Sequence, residues 1–208
     1  FPMSELGKRT AAEGPALEIV KLNDIEHALH AADFYIGQAV HTESPEVSRF
    51  VYNPQTQLME YQTAVRYPHG LLKIFDEALV NAADNRHKGT STIKVGVSLL
   101  HNSVWIYNDG PNFAIVPTDH ASRWNPQEKA YQPEVAFFHC KTSSAYGKKQ
   151  RITGGKFGLG AKLIAIFSSW CSIEMCDGHT YYFQKAENHM NDVKPPVVKP
   201  CKPDEKPY

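Results

Sequence analysis

The 208 residues are enough for one well-buried domain, or two small ones at most. With 42% hydrophobic, 21% charged and 11% aromatic residues the composition argues against disorder, and 22 Lys+Arg against 22 Asp+Glu excludes the overall basic excess of a nucleic-acid-coating surface. No apolar run approaches the roughly 18 residues of a membrane helix, and Cys140, Cys171, Cys176 and Cys201 show neither a CxxC pair nor zinc-ligand spacing; they could form two disulfides, but with no signal peptide visible free thiols in a soluble, intracellular protein are expected.

Residues 1–20 mix small, polar and charged types with Pro2, Gly7, Gly14 and Pro15, and read as an arm. LNDIEHALHAAD predicts the first helix: Asn23 is its N-cap, Glu26 completes a capping box by spacing, and Leu22, Ile25, Leu29 and Ala32 form its apolar stripe. His27 and His30 lack a third ligand nearby and read as solvated or capped. RFVYN and LMEYQTAVRY, separated by NPQTQ, predict a hairpin or loop pair, and Pro68-His69-Gly70 breaks the chain after them.

Leu71 to Lys88, LLKIFDEALVNAADNRHK, is the stretch around which the rest is best read. Leu71, Leu72, Phe75, Ala78, Leu79 and Ala82 share one side of a helix, whereas Lys73, Glu77, Asn81, Asp84, Asn85 and Lys88 form a polar arc. An ordinary surface helix fills such an arc with Glu and Lys pairs. This one places asparagines there, poor helix formers whose side chains compete with the backbone for hydrogen bonds. Glu77 and Asn81 lie one turn apart, and a carboxylate beside an amide oxygen can polarise a water and ligate a hard cation. Taken alone, the helix also fits a plain solvated face.

Gly89 stops that helix, and TIKVGVSL follows as a half-buried strand alternating Ile93, Val95, Val97 and Leu99 with Lys94, Gly96 and Ser98. VWIYND reads as the antiparallel return strand, ending in the polar turn Asn108-Asp109-Gly110. Residues 117–132 are loop-like, and Pro133 opens a short helix whose body is Val135, Phe137 and Phe138. Thr142-Ser143-Ser144-Ala145-Tyr146-Gly147 then leads through Lys148, Lys149 and Arg151 into ITGGKFGLGAK, with four glycines in eleven residues, and a helix AKLIAIFSSW. Glycine runs beside hydroxyls and lysines cradle phosphates because bare N–H groups can approach closely. Neither of two better-known phosphate loops fits. Leu163 stands where a Walker loop needs a hydroxyl, and no strand precedes the glycines as a dinucleotide fingerprint requires. CSIEMC and HTYYFQKA flank Asp177-Gly178 as a hairpin, and the last fifteen residues, with five prolines, read as a linker or extended tail.

Three segments thus carry unusual polar chemistry in fixed order: the helix with Glu77, Asn81 and Asn85, the strand end 108–110, and the hydroxyl-then-glycine run from Thr142 to Lys162. This order resembles the Bergerat-type fold of the GHKL ATPases. IFDEALVNAADN (74–85), TSSAYGKK (142–149), TGGKFGLGAKL (153–163) and DFYIG (33–37) are most similar to the ATPase domain of eukaryotic-type DNA topoisomerase II, over roughly residues 24–178.

The resemblance implies an α+β fold, a two-layer sandwich with helices on one face of a mixed, mainly antiparallel sheet. It implies an arm at 1–20, an ATP-binding domain at 21–193, and a proline-rich tail at 194–208 leading to a final strand and a transducer. ATP and Mg²⁺ are the implied cofactors. Glu77 would be the general base, Asn81 the Mg²⁺ ligand, Asn85 a phosphate- or ribose-side contact, and Asp109 the acceptor for the adenine amino group. Ser143 and Ser144 would bond the nucleotide. Gly155, Lys156, Phe157, Gly158, Leu159, Gly160, Ala161 and Lys162 would wrap the triphosphate, with Lys88, Ile115, Phe137 and Thr142 completing the set. The implied partners are a second copy in the presence of nucleotide and, through the full-length enzyme, DNA in the nucleus or a DNA-containing organelle. A chaperone-like or regulatory GHKL module acting on proteins is the alternative. Asn112, Ala145, Phe157 and Leu159 depart from the family's pattern.

Overall fold

A computed structural model of the chain describes residues 19–39, 46–110, 115, 124–125, 130–142, 158–202 and 208. Helix α1 (Asp24–His30) begins as its sequence dictates: the Asn23 side chain accepts from the Ile25 and Glu26 N–H groups at 3.0 and 2.9 Å, and Glu26 returns the bond to the Asn23 N–H. The single helix expected here is two, because Ala31 leaves helical geometry and α2 (Ala32–Ile36) follows at once. The His27 Nδ1 is hydrogen-bonded with the Tyr35 hydroxyl at 2.9 Å.

Strands β1 (Val47–Asn53) and β2 (Leu58–Val65) form the expected antiparallel hairpin. Helix α3 (His69–Asp84) starts two residues early and tightens into a 3₁₀ turn over Asn85–Lys88, which Gly89 ends at φ +109°. Buried Gly70 lets its first turn lie on α2: a Cβ there would stand 2.7 Å from Ile36 Cδ1. Strands β3 (Ile93–Ser98) and β4 (Ser103–Asn108) form the anticipated antiparallel pair. The expected burial of the Ile93, Val95 and Val97 face does not follow, however, and Val97 is 69% exposed. On the opposite face the Trp105 indole occupies the space above Gly96, where a Cβ would lie 2.1 Å from it.

Short strands β5 (Trp124–Asn125) and β6 (Ala130–Tyr131) pair ahead of α4 (Gln132–Phe138). After α5 (Gly160–Ile166) come β7 (Trp170–Cys176), β8 (Thr180–Glu187), β9 (Asp192–Val193) and β10 (Val197–Pro200). They form one antiparallel sheet in the order β10-β8-β7, with β9 also on β8. Alternation along β7 and β8 turns Ile173, Met175, Tyr182 and Ala186 inward, where they meet Phe138, Ala165, Ile166 and Ile115 as the core. Buried polar groups within it are paired: the Tyr182 hydroxyl donates to Gln184 Oε1 at 2.6 Å, and Gln184 Nε2 donates to the Lys194 carbonyl at 3.0 Å.

Two expectations need correction here. The proline-rich tail is not merely a linker, since β10 lies on the sheet edge, where a proline's missing N–H costs no ladder bond. The same path carries Cys201 to the end of β7, where it is disulfide-bonded to Cys176; Cys140 and Cys171 remain free thiols. Tyr208 then exchanges both backbone hydrogen bonds with Cys176, at 2.9 and 3.0 Å, and its ring lies 6.0 Å from that of Tyr107 on β4.

Candidate nucleotide site

Helix α3 presents Glu77, Asn81 and Asn85 along one face, as the 3.6-residue period requires. The Glu77 carboxylate is held on both sides. Its Oε1 takes a 2.5 Å ion pair from Lys73 one turn earlier, and its Oε2 stands where a Cβ on Gly160 would approach to 1.9 Å. Only glycine leaves room for a carboxylate against the first residue of α5. Asn81 follows one turn on, and its amide nitrogen is buried with no hydrogen-bond partner among the described residues. At the helix end Asn85 Nδ2 donates to Asn108 Oδ1 at 3.3 Å, which ties α3 to the end of β4.

That last bond separates two neighbours that the sequence does not distinguish. Successive strand residues face opposite sides. Asn108 faces α3, whereas the Asp109 carboxylate accepts from the Ser91 N–H at 2.8 Å, the Ser91 hydroxyl at 2.6 Å and the Thr92 N–H at 2.8 Å. These donors, led by the Ser91 hydroxyl, hold the Asp109 carboxyl well below the usual carboxylate range. The expected adenine acceptor is therefore engaged in fastening residues 91–92. Asn108 is the strand-end residue beside the α3 asparagines, and the alternation that places Ile106 and Asn108 on one face was the signal that could have found it.

The glycine-rich run is anchored at its two described ends. Gly158, at φ +65°, comes so close to the Thr142 carbonyl that a Cβ would stand 2.2 Å from it. Lys162 Nζ donates to the same carbonyl at 3.0 Å. Its side chain is 3% exposed, and burial pulls the ammonium down to about 8. The Thr142 hydroxyl reaches the Val135 and His139 carbonyls at 2.7 and 2.8 Å, so it closes the end of α4 rather than pointing to a ligand. Leu159 is the N-cap of α5, and Gly160, Ala161 and Lys162 form its first turn, whose N–H groups have no earlier helical carbonyl to bond. Ile115 is buried in the core with its N–H on Asp177 Oδ2 at 2.9 Å, and Phe137 packs half-buried against that core. The Lys88 side chain and Ser143, Ser144, Gly155, Lys156 and Phe157 lie outside the described residues.

Among the described residues no three His, Cys, Asp or Glu side chains gather as a metal cluster. Mg²⁺ needs none, because it is commonly held by one or two protein groups together with substrate phosphates. The Asn81 side-chain oxygen, one turn from a carboxylate, is a ligand of the type Mg²⁺ takes, whereas its orphaned nitrogen is a donor suited to a phosphate oxygen. A cavity of about 390 Å³ is lined by Ala83, Arg86, Thr90, Ser91 and Ile93, and its lining does not include Glu77, Asn81 or Asn85.

No family model matches the chain. DNA topoisomerase 2 of Candida glabrata is 37% identical over 183 residues, covering 86% of this chain, which spans 12% of that relative's length. The crystal structure of the ATPase and transducer domains of DNA topoisomerase II from Balamuthia mandrillaris superimposes with a TM-score of 0.80 at 34% identity, over 90% of this chain and 46% of that one. The ATPase region of Saccharomyces cerevisiae topoisomerase II gives 0.76 at 34% identity, over 91% and 48%. Together with the helix, strand-end and glycine-run geometry, these likenesses make the chain a homologue, in sequence and in fold, of the GHKL (Bergerat-type) ATPase domain of eukaryotic-type DNA topoisomerase II.

Proposed function

We propose that the chain is the ATP-binding and ATP-hydrolysing clamp module, the N-gate, of a type II DNA topoisomerase. In the full-length enzyme nucleotide binding would bring two copies together and couple hydrolysis to passage of a DNA duplex, in the nucleus or another DNA-containing compartment. One observation carries the reading: the Glu77 carboxylate of α3 and Gly160 at the head of α5 meet in one place. A group able to orient a water is thereby set beside the backbone of a glycine-rich run suited to phosphates. A protein-remodelling GHKL module is not favoured, because the relatives matched in sequence are named DNA topoisomerase 2.

Phosphoryl transfer asks the protein mainly for positioning and charge stabilisation. Glu77 would orient the attacking water and take its proton. Asn81 would hold Mg²⁺, which when bound neutralises phosphate charge. Asn85 and Asn108 would border the nucleoside side, and the N–H groups that open α5 would face the phosphates. Calorimetric titration of the full-length enzyme with an unhydrolysable ATP analogue, with and without Mg²⁺, tests this. Removing Mg²⁺ is expected to weaken binding by about tenfold or more, the size of a lost charge-assisted contact, and Asn81→Ala to erase most of that difference. Equal binding with and without Mg²⁺, together with an unaffected Asn81→Ala variant, would overturn the reading.

A further inference from the structure

We propose that Lys73 is a positioning residue for Glu77, an assignment that rests on the general-base reading above. Lys73 Nζ lies 2.5 Å from Glu77 Oε1, with the lysine side chain 47% exposed and the glutamate 23%. Among the described residues Lys73 has no second acidic partner. The opposite oxygen, Oε2, rests against Gly160.

Helix stability does not account for this pair. Exposed ion pairs four residues apart contribute little, and lysine placed N-terminal to glutamate is the weaker of the two orders. Geometry does account for it. A glutamate side chain turns about three bonds and loses much freedom when fixed. With one oxygen on an ammonium and the other against backbone, the carboxylate plane has a single orientation, and Lys73 supplies the anchor from the solvent side. A base whose task is to aim a water depends on that orientation, since a misplacement of about 1 Å can cost about a hundredfold in rate. The lysine touches neither nucleotide nor water in this scheme and acts only through Glu77.

Steady-state ATP hydrolysis and binding of an unhydrolysable analogue, measured on the full-length enzyme, separate the outcomes. Lys73→Ala is expected to lower kcat by about tenfold or more while KM and analogue affinity stay within about twofold. Lys73→Arg should recover most of the lost kcat, because its guanidinium can also reach the carboxylate. The assignment is overturned if Lys73→Ala keeps kcat within about twofold of the parent, if affinity falls in step with kcat, if kcat rises, or if arginine restores nothing. Glu77→Gln in the same assays tests the underlying reading. If that variant still turns over normally, the general-base role fails whatever Lys73 shows.

Discussion

At the scale of single residues the site depends on what cannot be added as much as on what is present. Gly160 is the clearest case, because a methyl group there would stand 1.9 Å from Glu77 Oε2. The obstructed atom is the tip of a flexible side chain, so the carboxylate yields before the fold does. Gly160→Ala is expected to lower turnover by about a hundredfold in hydrolysis assays, while urea unfolding changes by no more than about 1 kcal/mol. Lys162 makes a prediction of a different kind. Its ammonium is pulled down from 10.5 to about 8, so between those values the unfolded chain holds more protons than the folded one, and stability must rise with pH. The burial penalty is fully present below about pH 8 and is lifted as pH climbs toward 10.5. The parent is therefore expected to gain on Lys162→Met across that window by up to about 1.4 kcal/mol per pH unit, read from denaturant midpoints at each pH. The pairing of Glu77 with Asn81 was legible because it needs only one helix and its period. That the Thr142 hydroxyl is taken by α4 was not, since nothing in a hydroxyl beside a glycine run tells which carbonyls will reach it.

Elements show the same division. The start of helix α1 could be read to the residue because its cap is local, and the pairing of β3 with β4 because alternation and a short turn join them. The face each side chain takes was not legible. Asn108 and Asp109 are adjacent and both polar, and only the packing of α3 on β4 decides which of them looks toward the helix. Asp109 instead fastens the segment entering β3. Asp109→Ala is expected to expose the Ser91 and Thr92 amides to hydrogen exchange while those of β4 stay protected, because the ladder bonds of β4 do not pass through that carboxylate. Equal protection at all these amides in parent and variant would return Asp109 to the list of groups available to a ligand. β10 and the Cys176–Cys201 bridge were illegible for a related reason: a tail rich in prolines becomes a sheet edge only because β8 already offers one.

For the whole molecule, the surface left open is as informative as the core. The β3–β4 pair turns Val95, Val97 and Val104 outward, and Leu99 and Leu100 between the strands are also exposed. Contiguous apolar area of this kind promotes association. Sedimentation of this 208-residue chain alone is expected to show concentration-dependent self-association, reduced by Val97→Lys, which puts a charge in the middle of the patch. A sample that stays monomeric at all concentrations would refute that. Thr142 meets both Gly158 and Lys162, so positions far apart in the chain touch in space. Polymer statistics make the entropy of joining two such positions grow only slowly with their separation: three more residues between Thr142 and Gly158 add only about 0.2 kcal/mol. Insertions and deletions between these two positions are accordingly expected to leave the melting point of the described body almost unmoved.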